Sequence, residues 1–372
     1  MGMANTQPES NGERIPDLEE IDATEVNFND DYDVPMVEAA APKKPGFGFG
    51  KALLWSLLFL VVTQGLVGAA VMAGFFLFVF SGGMDAAAVD ANNPALQNAI
   101  KVAALLAPIC GAIFSILVMR WIIGRDWYRR IGLRLPNLEH VILILVAFPA
   151  VEALAILAEV YVNRHVPGFS VMDDFAKGLA AWPWWLSLAA IAVGPGISEE
   201  LWCRGFVGWG LSNRYGFPIA VLLTSFLFGC IHIHPPQAIM AMLLGVFLHL
   251  TYLCTRSLWV PIFLHFLHNS LAVFNDADRV QIPFHDSLKH SLFIVEPVWF
   301  PLSALILAVV AGIALYQYRV RVWLPDGLGQ PARGVLIPTE RGISLLPRPL
   351  HPMLVGGVVC SALLFGWFWL GL

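Results

Sequence analysis

Charge is what this 372-residue chain most lacks. Only 13% of its residues are charged, about half the share found in a soluble domain, and none lies between Ala52 and Gly83. That run exceeds the ~20 residues needed to cross a hydrocarbon core, which excludes a soluble globule. A hydrophobic content of 58% and a mean hydropathy of +0.69 agree. Disulfide and metal spacing are also missing. The five cysteines, Cys110, Cys203, Cys230, Cys254 and Cys360, lie in or beside apolar spans without a CxxC pair, and read as small buried hydrophobes. No internal repeat is visible, and nothing points to a nucleic-acid partner. A cleaved signal peptide is not expected either. The first apolar run begins about fifty residues in, follows a polar tail and is too long for a signal core.

What charge there is falls unevenly. Met1 to Lys44 holds 11 acidic and 3 basic residues, so the rest of the chain is +3 although the whole is -5. With scattered Pro, Asn, Ser and Gly and no apolar period, residues 1–46 read as a disordered acidic cytoplasmic tail, a place where a protein partner could bind. Beyond it, apolar windows fall near 52–80, 98–119, 138–162, 183–212, 217–233, 237–255, 258–274, 298–318 and 353–372. The expected fold class is therefore all-α, a polytopic transmembrane helical bundle of about 8–9 helices. Four regions follow from this pattern: the tail; 47–137, with two helices and a basic loop; a membrane core over 138–275; and 276–372, whose segment 319–351 is rich in Pro and Gly and reads as a cytoplasmic loop. With the N-terminus inside, sixteen Lys and Arg residues from Lys43 onward fall on the cytoplasmic side and five outside. That bias supports the orientation.

The informative residues are polar ones where the membrane should exclude them. An ionisable group at bilayer depth costs at least ~2.5–3.5 kcal/mol, so a cluster is a functional hypothesis by default. The fourth window carries Glu199, Glu200 and Arg204, the fifth Phe228 and His232, and the seventh His265 and Asn269. Glu200 and Arg204, four apart, can pair on one helix face. Glu199 lies ~100° round the helix and is free for another partner. His265 and Asn269 are also four apart and can converge on one target, while Phe228 can wall His232 from lipid. Counted from the cytoplasmic ends at ~1.5 Å per residue, Glu199 and His232 come at ~20 and ~22 Å and His265 and Asn269 at ~12 and ~18 Å, so the three helices share a level. His234, His249 and His268 read as packing hydrogen-bonders. Glu152 and Glu159, two turns apart in the third window, could line the same cavity. Arg204 reads as structural, since guanidinium keeps its proton near neutral pH.

The ordered trio EExxxR, FxxxH and HxxxN on successive membrane helices resembles the CPBP family, the CAAX-protease and bacteriocin-processing intramembrane proteases of the Abi or Rce1 type. The resemblance covers roughly Trp182 to Phe274. It implies an all-helical bundle with a conical cavity and an endopeptidase acting on protein or peptide segments beside membrane lipid. By the same resemblance Glu199 activates a water with His232 as partner, Glu200 tied to Arg204 shapes the site or shares that role, and His265 and Asn269 stabilise the oxyanion. The residues themselves are compatible: peptide hydrolysis needs an activated water and donors aimed at the developing oxyanion. Arg204 claims Glu200, which leaves Glu199 as the better base.

Two chemistries stay open. His232 and His265 with a carboxylate could hold Zn2+, although HExxH is absent, and a metal-free glutamate mechanism fits equally. Rival functions are an ion-coupled transporter, which would show repeated halves with broken helices, and a non-catalytic membrane scaffold. The resemblance suggests a bacterial cytoplasmic membrane protein.

Overall fold

The computed structural model describes residues 46–83, 93–168, 182–276, 299–323, 329–330, 344–347 and 350–370. The acidic tail up to residue 45 and the loop around Asp286 lie outside them. A helix occupies each of the nine apolar windows: α1 (Phe49–Gly82), α2 (Pro94–Ile122), α4 (Leu138–His165), α5 (184–215), α6 (Phe217–Cys230), α7 (Pro235–Thr255), α8 (Trp259–Asp276), α9 (Trp299–Gln317) and α10 (Pro352–Leu370), with a single turn, α3 (Trp127–Arg130), between α2 and α4. Six of them, α1, α2, α4, α7, α9 and α10, are long and apolar enough to cross a membrane. That is fewer than the eight or nine helices expected to do so. At 1.5 Å per residue the 14 residues of α6 reach only about 21 Å, short of a ~30 Å hydrocarbon core.

Two further departures from the sequence reading have local causes. Residues 319–351 are not wholly irregular: β1 (Val320–Trp323) pairs antiparallel with β2 (Gly329–Gln330) on one side and β3 (Ser344–Pro347) on the other. The fifth window also stops early. α6 ends at Cys230, and His232 lies in the turn before Pro235 and Pro236 open α7, since a residue preceding proline is driven out of the helical region.

Helix α5 is the axis of the bundle. Its Trp202 stacks on Phe59 of α1 with ring centroids 4.8 Å apart, and touches Phe114 of α2 at 5.3 Å and its own Phe206 at 4.9 Å. Between helices in lipid the driving force is close packing and hydrogen bonding rather than escape from water, and such aromatic contacts supply it. On the opposite side Gly196 admits α8. A Cβ there would already stand 3.4 Å from Ile262 O and Phe266 N. A smaller apolar cluster, with Ala150 and Ala153 of α4, Ala304 and Leu307 of α9 and Phe365 of α10, attaches the last two helices.

One polar clasp fixes the start of α8. The last carbonyls of α7 have no intrahelical donor; Arg134 supplies them, Nη2 donating to Thr255 O at 2.8 Å and Nε to Arg256 O at 2.9 Å. Leu258 N donates to Gly132 O at 2.9 Å and Tyr252 Oη to Ile131 O at 2.8 Å. Gly132 sits at φ +70°, with Arg256 O against the place a side chain would fill, which reserves the position for glycine. Burial lowers Arg134 and brings Arg256 down to about 10. Arg256 therefore stays charged at neutral pH.

Candidate active site

Backbone geometry prepares the polar cluster before any side chain is considered. Within α5 the α-helical stretches Trp184–Ser187, Gly194–Glu200 and Gly208–Tyr215 are separated by π-helical turns over Leu188–Val193 and Leu201–Val207. Such widened turns are frequent at functional sites, although α1 also has them at Val61–Leu66 and Val79–Gly83. Glu199 and Glu200 close the middle stretch, and Arg204 lies in the second wide turn. The first wide turn has a cause in sequence. Pro195 has no N–H to give Ile191 O, the acceptor four residues earlier, and Asn269 of α8 donates to that carbonyl through Nδ2 at 2.7 Å.

Around this frame the side chains form two carboxylate–imidazole pairs. In the first, Glu200 Oε1 accepts from Arg204 Nη1 at 2.7 Å and lies 2.8 Å from His265 Nδ1. Glu200 and Arg204 are fully buried, and Arg204 Nη2 also donates to Gly245 O of α7. In the second, His232 Nδ1 lies 2.8 Å from Phe228 O. A carbonyl only accepts, so Nδ1 carries the proton, and a neutral ring then turns a bare Nε2 toward Glu199. His232 Nε2 and Glu199 Oε2 are 3.8 Å apart. That is too far for a direct hydrogen bond, and Glu199 Oε2 has no hydrogen-bond partner. The spacing suits a bridging water.

Phe228 is more than a wall against lipid. Its ring meets His232 edge-on at 5.1 Å and His265 edge-on at 5.7 Å, and the Arg204 guanidinium lies over its face at 4.2 Å. One ring thus spaces both imidazoles and shares a buried cation with Glu200. Arg204→Lys keeps the charge but loses the flat stacking plane and the fork of donors. It is expected to lower stability by about 1–2 kcal/mol, read as a shift in the thermal unfolding of the purified protein.

All the motif residues expected from the sequence are therefore gathered, with their partners redistributed. His265 and Asn269 do reach the same helix, but each is held there by its own acceptor, Glu200 and Ile191 O. Glu152 pairs with His268. Glu159 is half-buried on the same helix. His249 is fully buried with neither ring nitrogen hydrogen-bonded. The contributions of Pro195 and Ile191 were not singled out in the sequence, although a proline beside the EE pair inside an apolar window is a readable signal for a freed carbonyl. Pro195→Ala restores a competing N–H, and kcat should fall about five- to tenfold, the worth of one hydrogen bond of ~1 kcal/mol.

The donor set bears on a metal. Among the described residues no three His, Cys, Asp or Glu side chains come together as ligands. His232 has one carboxylate beside it, and His265 gives Nδ1 to a carboxylate already held by arginine. A tetrahedral zinc centre takes at least three protein ligands, so this arrangement does not fit one.

Residues 181–271 match the family model described as Type II CAAX prenyl endopeptidase Rce1-like. The match bears out the resemblance over the segment that carries α5 through most of α8. With six helices apolar enough to span a bilayer, the chain is an integral membrane protein. No curated protein and no solved structure matches it.

Proposed function

We propose that the Rce1-like segment is the catalytic core of an endopeptidase in which Glu199 and His232 activate a water between them, and His265 with Asn269 receives the charge that develops on the scissile carbonyl oxygen. The observation that carries this reading is the 3.8 Å gap between His232 Nε2 and the unpartnered Glu199 Oε2. A water there gives one hydrogen to the carboxylate and the other to the bare Nε2 of His232, leaving a lone pair for the carbonyl carbon. Oxyanion contacts would come from what the fixed bonds leave over. Asn269 uses one N–H on Ile191 O and keeps its second. His265 gives Nδ1 to Glu200 and, as an imidazolium, presents Nε2–H to the oxygen. Glu200 and Arg204 act as a buried frame, since a carboxylate so held orients its imidazole.

The experiment is cleavage of a farnesylated peptide ending in Cys-aliphatic-aliphatic-X by purified protein in lipid nanodiscs, with bound metal measured on the same sample. Turnover without stoichiometric metal supports the water-activating carboxylate. Turnover that disappears with zinc and returns on its addition overturns it.

For localisation we infer a bacterial cytoplasmic membrane from the family resemblance and a cytoplasmic N-terminus from the charge bias. Tags after Lys44 and near Gly327 should be cytoplasmic and one near Asp286 external, checked by labelling of intact cells.

A further inference from the structure

One intramembrane ion pair is left over by this mechanism. His268 Nδ1 lies 2.9 and 3.1 Å from the two carboxylate oxygens of Glu152. Glu152 is on α4, outside the matched segment and on a helix that supplies none of the motif residues. Taking such a pair out of water is costly, and its retention inside a membrane helix calls for a role.

That role emerges from what holds α8 on each side. Toward α5, α8 is packed closely at Gly196 and tied by the His265 and Asn269 bonds. Toward α4 it is not. There an apolar pocket of about 220 Å³, half open to the outside, is lined by Val141, Ile144 and Leu145 of α4 and by Val260, Phe263 and Leu264 of α8. A gap along that seam leaves the rotation of α8 less tightly fixed by packing than close-packed side chains would. The Glu152–His268 pair, one turn beyond Leu264, bridges this seam.

The roll of α8 matters because His265, His268 and Asn269 share an arc of about 100° on its surface. A rotation of about 10° moves atoms about 6 Å from the axis by about 1 Å, and a misplacement of that size costs about 10²-fold in rate. We propose that the Glu152–His268 ion pair, beside the α4–α8 cavity, is a positioning pair that sets the roll of α8 and so the placement of His265 and Asn269. It rests on the endopeptidase reading above.

The test is steady-state and single-turnover cleavage of the farnesylated peptide by full-length protein in nanodiscs. Glu152→Ala and His268→Ala should each lower kcat about 10- to 100-fold with KM within about threefold. The double variant should be no slower than the worse single one, because the two residues share one interaction. Exchanging the partners, Glu152→His with His268→Glu, should return kcat to within about fivefold of the wild type. Raised KM at unchanged kcat, multiplied losses in the double variant, or an exchange that restores nothing would each overturn the proposal. If the alanine variants do not fold, Glu152→Gln decides: it keeps an acceptor for Nδ1, so most of kcat should remain, and a loss as deep as that of Glu199→Gln would make the pair chemical rather than positional. Full turnover by Glu199→Gln would instead remove the endopeptidase reading itself, whatever the pair does.

Discussion

Replacing Glu199 by Gln is expected to lower kcat by about 10²–10⁴, the usual contribution of a general base, while the protein stays folded and inserted. The substitution keeps the size of the side chain and removes only its capacity to take a proton. Its Oε2 has no hydrogen-bond partner to lose, and the nearest imidazole nitrogen stands 3.8 Å away, so little of the surrounding structure depends on the charge. Glu200 offers the contrast. Its carboxylate is bonded to both Arg204 and His265, and neutralising it disturbs a fully buried cation. Parallel kcat and unfolding measurements on Glu199→Gln and Glu200→Gln separate the two: the first should lose rate alone, the second rate and stability together. Near-wild-type turnover by Glu199→Gln would end its assignment as the base.

The next largest effects belong to His265 and Asn269. Each changed to Ala should lower kcat by about 10²–10³ with little change in substrate binding, as removal of an oxyanion donor does. The two losses should differ in what accompanies them. His265→Ala strips Glu200 of one of its two partners and should also cost stability, whereas Asn269→Ala frees only the Ile191 carbonyl in an already widened turn. Metal content, measured in both variants, should not change. Zinc lost from His265→Ala and retained in Asn269→Ala would make that imidazole a ligand.

The sequence made the polar cluster legible because the membrane does the filtering: Glu199, Glu200, Arg204, His265 and Asn269 stand out against windows where nothing charged belongs. Pairing within one helix was equally readable, since Glu200 and Arg204 are neighbours at any rotation of their helix. Pairing between helices was not. Whether His265 faces Asn269's target or Glu200, and whether His268 finds Glu152, depends on how α4, α5 and α8 are turned against each other. Spacing within a helix carries no such information. The early end of α6 was hidden for a different reason. Residues 217–233 keep an apolar character through the turn, and only Pro235 and Pro236 mark the stop. His232 then serves as a cap on the helix it was expected to extend, its ring N–H taking up Phe228 O.

The clasp of Arg134 on the end of α7 has a consequence for where the working unit begins. Residues 181–271 are a stretch of similarity rather than a body that could be cut out and expressed alone. Excision would leave Thr255 O and Arg256 O without the guanidinium that satisfies them, Leu258 N without Gly132 O, and Tyr252 Oη without Ile131 O. Any shortened version that keeps these contacts at the entry to α8 has to include Ile131 to Arg134, in a loop that no motif marks.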